Sequence, residues 1–207
     1  MNNHPCYASD EHEFLEVRRE VSKFIRLGTE LPAWPFQADS GFATVYEYDR
    51  LLGGDFGEVL EALVSVFDDE KVFVLGIEPS WEYYKREYNY FAGFSLRGES
   101  VSDDYCSAIR WEPGGDATGS LGFTADSIGI VGSSGQWSLL GQRDWEIAVL
   151  LAERQEGPWL NCDIPGWAGF FDLSDIRSPP GWGMPLSDTD LETFWRNISR
   201  RGSGPSD

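Results

Sequence analysis

Apolar residues recur at helical spacing in three stretches of the chain. Over Asp10 to Leu27, the positions Phe14, Val17, Val21, Phe24 and Ile25 mark one face of a helix, with Asp10 and Glu13 placed as a capping box and Gly28 as a stop. A second helix starts at Asp55, where Glu58 repeats the box and Phe56, Val59, Leu60, Leu63, Val64 and Phe67 share a face. A third runs from about Asp188 to Ser199, with Ser187 as N-cap and Leu191, Phe194, Trp195 and Ile198 turned inward.

Between the second and third helices the pattern changes to short β-rich runs. Ala43 to Tyr48, ahead of the second helix, is a short strand. Further strands are expected over Val72 to Ile77, Tyr88 to Leu96, Cys106 to Trp111, Leu121 to Ala125, Ser127 to Val131, Gln136 to Leu140 and Trp145 to Leu151, separated by Gly, Ser, Asp and Pro. Ser133-Ser134-Gly135 has the composition of a hairpin connection. Gly157 to Pro185 mixes Gly and Pro with Trp159, Trp167, Phe170, Phe171 and Trp182, and reads as an irregular wrap with much apolar surface to hide. The expected fold is α+β: a mainly antiparallel, curved sheet, with the N-terminal helices and the C-terminal helix packed on one face of it. Residues 1–207 form one domain, with 1–9 and 201–207 mobile and 157–187 the wrap.

Charge narrows the partners. The 35 Asp and Glu against 16 Lys and Arg give a formal net charge of −19, spread along the chain rather than gathered in a tail. Such a field repels nucleic acid, whose binding depends on cationic side chains, and draws in basic proteins. The 9 Trp and the other aromatic residues supply the core of a folded protein, not a disordered acidic chain. The first residues lack the basic and apolar regions of a signal peptide, and the longest apolar run, Ile147 to Ala152, is far short of a membrane span. A cytoplasmic protein without membrane contact is expected. Cys6, Cys106 and Cys162 are widely spaced and odd in number, as free thiols rather than a disulfide framework or zinc site.

The candidate chemistry is thin. His4 and His12 are the only histidines and lie at the N-terminus, where no pocket is expected to hold them, which removes triads and most transition-metal sites. No glycine loop leads into Gly-Lys-Ser or Gly-Lys-Thr, so no phosphate cradle is expected, and no cofactor or metal. Asp68-Asp69-Glu70 and Asp103-Asp104 lack the alternating Asp and Gly of a calcium loop and read as solvated turns. Paired carboxylates together with Trp and Tyr platforms keep carbohydrate binding or glycoside hydrolysis as the alternative function.

The stronger candidate is recognition. In EPSWEYYKREYNYF rings alternate with charge, and interface centres favour aromatic residues. Trp81, Glu82, Tyr83, Tyr84 and Glu87, joined by Asp103 and Asp104, are therefore the candidate contacts for a basic protein. The competing reading makes Tyr88, Tyr90 and Ala92 one face of a strand and leaves the rings in the core.

Ser127 to Glu153, SIGIVGSSGQWSLLGQRDWEIAVLLAE, resembles the C-terminal strand cassette of bacterial polymorphic-toxin immunity proteins: a glycine turn, a Trp in the next strand, and an acidic or aromatic position before an Ala/Leu-rich strand. The resemblance implies a non-catalytic protein that inhibits a cognate toxin one-to-one through a preformed acidic surface. The scarcity of Lys, confined to Lys23, Lys71 and Lys85, suits a GC-rich bacterial genome. The longer N-terminal helix and the Trp-rich wrap depart from the smaller members of that group.

Overall fold

The computed structural model describes residues 4–53, 55–155, 157–160 and 187–201. Six strands form one antiparallel sheet in the order β1-β6-β5-β4-β2-β3. They are β1 (Phe42–Glu47), β2 (Lys71–Glu78), β3 (Gly93–Arg97), β4 (Ser127–Gly132), β5 (Trp137–Gln142) and β6 (Ile147–Ala152). The helices are α1 (Glu11–Ser22), α2 (Tyr48–Leu51), α3 (Phe56–Phe67), α4 (Trp81–Tyr88), α5 (Val101–Ile109), α6 (Leu121–Thr124) and α7 (Asp188–Arg201). This is the expected α+β architecture, with a C-terminal helix.

The helices cover both faces of the sheet, not one. Alternate strand residues divide the core: Val72, Val74, Ile128, Ile130, Leu139, Ala148 and Leu150 pack with α2, α3, α5 and α6. Leu75, Val131, Leu140, Val149 and Leu151 point the other way, to α1, α7 and the Leu31 to Phe36 segment. Side chains alternate across a strand, so a strand covered on both sides is apolar over most of its length and loses the polar alternation. That is why SIGIVG and IAVLLA show no polar alternation, and why every residue of β4, β5 and β6 is buried. Gly129 lets α1 approach the sheet; a Cβ there would meet Val21 Cγ1 at 3.0 Å.

Local chemistry sets the helix ends. Asp10 accepts from the Glu13 N–H at 2.9 Å, and the Glu13 carboxylate reaches back to the Ser9 N–H at 2.8 Å, one residue before the expected partner. Ser187 caps α7 by accepting from Asp190 N–H at 3.1 Å. Asp55, by contrast, makes no side-chain cap bond at the start of α3, so the second capping box does not form.

Three expected strands are corrected. Of the Cys106 to Trp111 segment, Cys106 to Ile109 form the end of α5, whose buried Val101, Tyr105, Ala108 and Ile109 follow helical spacing that begins before Cys106. Leu121 to Ala125 is a single helical turn, capped by Ser120 Oγ on the Phe123 N–H at 3.3 Å. Tyr88 ends α4, Asn89 caps it in the left-handed conformation, and only Gly93–Arg97 forms the strand. Within the stretch expected to be mobile, residues 6–8 run along the open edge of β3, with Ala8 N–H donating to Gly93 O at 3.0 Å and Ser95 N–H to Cys6 O at 3.2 Å.

Asp68-Asp69-Glu70 is not a simple solvated turn. Asp68 caps α3 in the left-handed conformation, and Asp69 is only 5% exposed, accepting bonds from the Ser134 N–H and the Trp137 indole. From the Trp-rich wrap, Trp159 is buried against Phe67 with ring centroids 5.4 Å apart. Trp167, Phe170, Phe171, Trp182 and Cys162 lie outside the described residues.

Candidate binding surface

The aromatic run from Trp81 folds as α4, so the helical period decides which rings face outward. Trp81, Tyr84 and Tyr88 stand at i, i+3 and i+7 and lean toward the domain. Tyr84 is wholly buried, its ring 5.5 Å from that of Tyr90, and its hydroxyl has no hydrogen-bond partner. Burial pushes its ionisation well above the usual tyrosine range. Tyr84 is therefore core and is withdrawn from the candidate contacts. Trp81 is half-buried, stacked on Phe91 at 5.9 Å and tilted against Phe14 at 5.7 Å. Lys85 lies over the Phe91 ring, 4.5 Å from its centroid.

The outward side of α4 carries the exposed Glu82, Arg86 and Glu87, with Tyr83 half-buried at its margin against the core. A hydrogen bond to Ser80 holds the Glu82 carboxyl below the usual range, aided by its own backbone and by the charge of Arg18. A hydrogen bond with Tyr88 pushes the Tyr83 hydroxyl up. Arg86 is tied to Glu87, Nε to Oε1 at 2.6 Å, and lies 5.7 Å from the Tyr83 centroid. Asp103 and Asp104 are carried by a different helix. They sit on α5, Asp103 exposed and Asp104 accepting from Ser100 Oγ at 2.6 Å; the Tyr7, Tyr90 and Trp111 rings, 5.0 to 5.3 Å apart, lie between α4 and α5.

Beside α4 the structure adds a residue that the sequence did not single out. Phe123 on α6 is 63% exposed, and Leu15 on α1 is the other exposed large hydrophobic among the described residues. Its turn is heavily fastened. Arg143 donates from Nη2 to Phe123 O at 3.0 Å and from Nε and Nη2 to Ala125 O. Tyr48 also donates to Ala125 O, at 2.6 Å, while Tyr90 donates to Gly119 O at 2.8 Å and Thr124 Oγ1 to Thr118 O. The turn adjoins α4 through Tyr88, whose hydroxyl lies 3.5 Å from Thr118 Oγ1. Asp116 accepts from Thr118 N–H and Oγ1, bonds that hold its carboxyl below the usual range.

The expectation that nothing holds His4 is also corrected. Its Nε2 lies 2.8 Å from Ser107 Oγ, and its Nδ1 accepts from the Cys6 N–H at 3.3 Å. A backbone N–H always donates, so Nδ1 carries no proton and the neutral ring must carry one on Nε2. His4 then donates to Ser107, the reverse of the proton path a serine nucleophile requires. Burial holds the His4 pKa below its usual value, against the opposing charge of Asp104, and burial followed by Asp104 pushes the Cys6 thiol up. A raised thiol is a poor nucleophile.

Two cavities bear on the alternative function. One of about 320 Å³ is lined by Phe14, Arg18, Trp81, Glu78 and Glu82 among others; one of about 540 Å³ lies beside the N-terminal segment, with Glu13, Glu16, Asp104, Lys71 and Arg97 on its walls. The first joins two carboxylates to an indole, but Glu82 is shifted toward the anion, whereas a general acid needs the opposite shift. Among the described residues no group of three His, Cys, Asp or Glu side chains is placed to hold a metal ion, and no helix is long and apolar enough to cross a membrane. No family model, curated protein or solved structure matches the chain, so the resemblance to immunity proteins rests on the Ser127 to Glu153 residues alone.

Proposed function

We propose that this chain is a non-catalytic, acidic binding protein that inhibits a basic protein partner, most concretely an immunity protein neutralising a cognate bacterial toxin in the cytoplasm. The observation that supports it most is the surface formed by α4 and the α6 turn, where the exposed Phe123 and the half-buried Tyr83 stand among the exposed Glu82, Glu87 and Asp116. Aromatic anchors within an anionic surround suit a cationic protein surface. Carbohydrate processing is the second reading, favoured by the cavity that holds Glu78, Glu82 and Trp81.

Co-expression with the product of the adjoining gene tests the proposal. Restored growth of cells that the product otherwise kills, together with a one-to-one complex on gel filtration, is the expected result. Turnover of glycosides by the purified chain, lost on Glu78→Gln or Glu82→Gln, would replace the binding reading with the carbohydrate one.

A further inference from the structure

An exposed phenylalanine on a surface turn is ordinarily free to shift and to shield part of its ring. The Phe123 turn has little such freedom. Its carbonyls at Thr118, Gly119, Phe123 and Ala125 accept from Thr124, Tyr90, Arg143 and Tyr48, the last three anchored in elements distant in sequence. The fold thus fixes the backbone beneath a ring that it does not itself bury. Rigid aromatic anchors lose little conformational entropy on binding, which is how a small contact area gives a large share of affinity.

The surroundings indicate what the ring meets. Arg143 directs its guanidinium to the Phe123 and Ala125 carbonyls, to Asp126 at 3.4 Å and over the Tyr48 ring at 5.2 Å. Its charge is thereby turned into the turn. Asp126, Glu78, whose carbonyl accepts the Asp126 N–H at 2.7 Å, and Asp116, bonded to Thr118, are exposed around the same turn. A projecting phenyl requires a concave apolar pocket, and carboxylates beside its turn favour Lys and Arg at the rim of that pocket.

We propose that the α6 turn is a preorganised anchor, in which Phe123 inserts into an apolar pocket on a basic protein while Glu78 and Asp116 meet cationic side chains at the pocket's rim. This deepens the binding function proposed above and rests on it. Arg143 is a positioning residue, holding the turn without touching the partner.

The test uses the purified product of the adjoining gene as probe, with association and dissociation rates measured against the full chain. Phe123→Ser should speed dissociation at least about tenfold, with circular dichroism and unfolding midpoint unchanged because the ring is exposed. Glu78→Gln should slow association, and more so at low salt than at high. Arg143→Gln should reduce affinity while Phe123 is present and have much less effect in the Phe123→Ser background, which a merely structural role would not produce. A probe that binds the wild-type chain and Phe123→Ser with equal rates overturns the anchor and leaves the binding function standing. A probe that binds neither overturns both. Loss of fold in Phe123→Ser shows that the ring serves the chain's own packing, and overturns the anchor as well.

Discussion

The Trp137 indole N–H donates to the buried carboxyl of Asp69 at 2.7 Å, joining the end of α3 to β5 across 68 positions of sequence. The same carboxyl accepts the Ser134 N–H in the β4–β5 hairpin. Removing it leaves a buried indole N–H and a backbone N–H without their acceptor. Asp69→Ala is therefore expected to lose about 1–3 kcal/mol of stability, and Asp69→Asn, which keeps an oxygen acceptor, less. Urea unfolding of the three proteins checks this; equal midpoints would show that the clamp contributes nothing.

Tyr84 gives the opposite expectation. Its hydroxyl is buried without a partner, so Tyr84→Phe removes a desolvated polar group and keeps the ring packing against Tyr90. Stability should stay level or rise by up to about 1 kcal/mol. Tyr84→Ala should instead cost about 3–5 kcal/mol through the cavity it leaves. A large loss from the phenylalanine variant in thermal unfolding would mean that the hydroxyl is bonded after all.

Helices α3 and α5 meet at Gly57, where an added Cβ would lie 2.6 Å from Ser102 O and 2.9 Å from Ser102 Cα. Backbone cannot step aside as a flexible side chain does. Gly57→Ala should force the helices apart and destabilise by about 1–3 kcal/mol, despite the higher helix propensity of alanine. An unfolding midpoint at or above that of the wild type would contradict the close approach.

For His4 the folded pKa lies below the unfolded value of about 6.5. Between the two values the unfolded chain binds a proton that the folded chain does not, so stability rises with pH there. The contribution is whole above about pH 6.5 and is lost as pH falls toward the folded value. Hydrogen exchange at Ala8 and Ser95, whose amides pair residues 6–8 with β3, should accelerate on mild acidification beyond the intrinsic pH effect. His4→Asn should abolish that extra dependence; if it persists unchanged, another group is responsible.

On the proposed surface, Glu82→Lys combined with Glu87→Lys should slow association with a basic partner several-fold at low salt and leave dissociation nearly unchanged. Both side chains are exposed, so the fold should survive. Stopped-flow association across a salt series measures it. Faster or unaltered association would place the partner elsewhere on the chain.

The helical faces of α1, α3 and α7 and most strands were legible because their apolar residues keep one period over several turns or sit in short apolar runs. The Cys106 to Trp111 segment misled because a six-residue window that starts inside α5 hides the spacing from Val101 to Ile109. Two-sided burial was written in SIGIVG and IAVLLA as missing alternation, but a single sequence does not say what covers each side. At the surface, the run from Trp81 was visible as a feature, whereas the helical period decided that Tyr84 is wholly buried and Tyr83 only half-buried. Phe123 and Asp69 were not legible. One is exposed and the other buried through bonds to Arg143, Tyr90 and Trp137, all remote in sequence.

The sheet order has a consequence for how the chain comes to be folded. The edge strand β1 pairs only with β6, as in Val45 with Val149, so roughly a hundred residues must be closed into a loop before β1 gains a partner. On a ribosome, β1 emerges among the first elements and waits for its partner until the last of the six strands is made. The β4–β5 hairpin and β6 carry local contacts that can form early, so they template the strand that preceded them. Shortening the chain ahead of Ile147 would leave β1 with nothing to join.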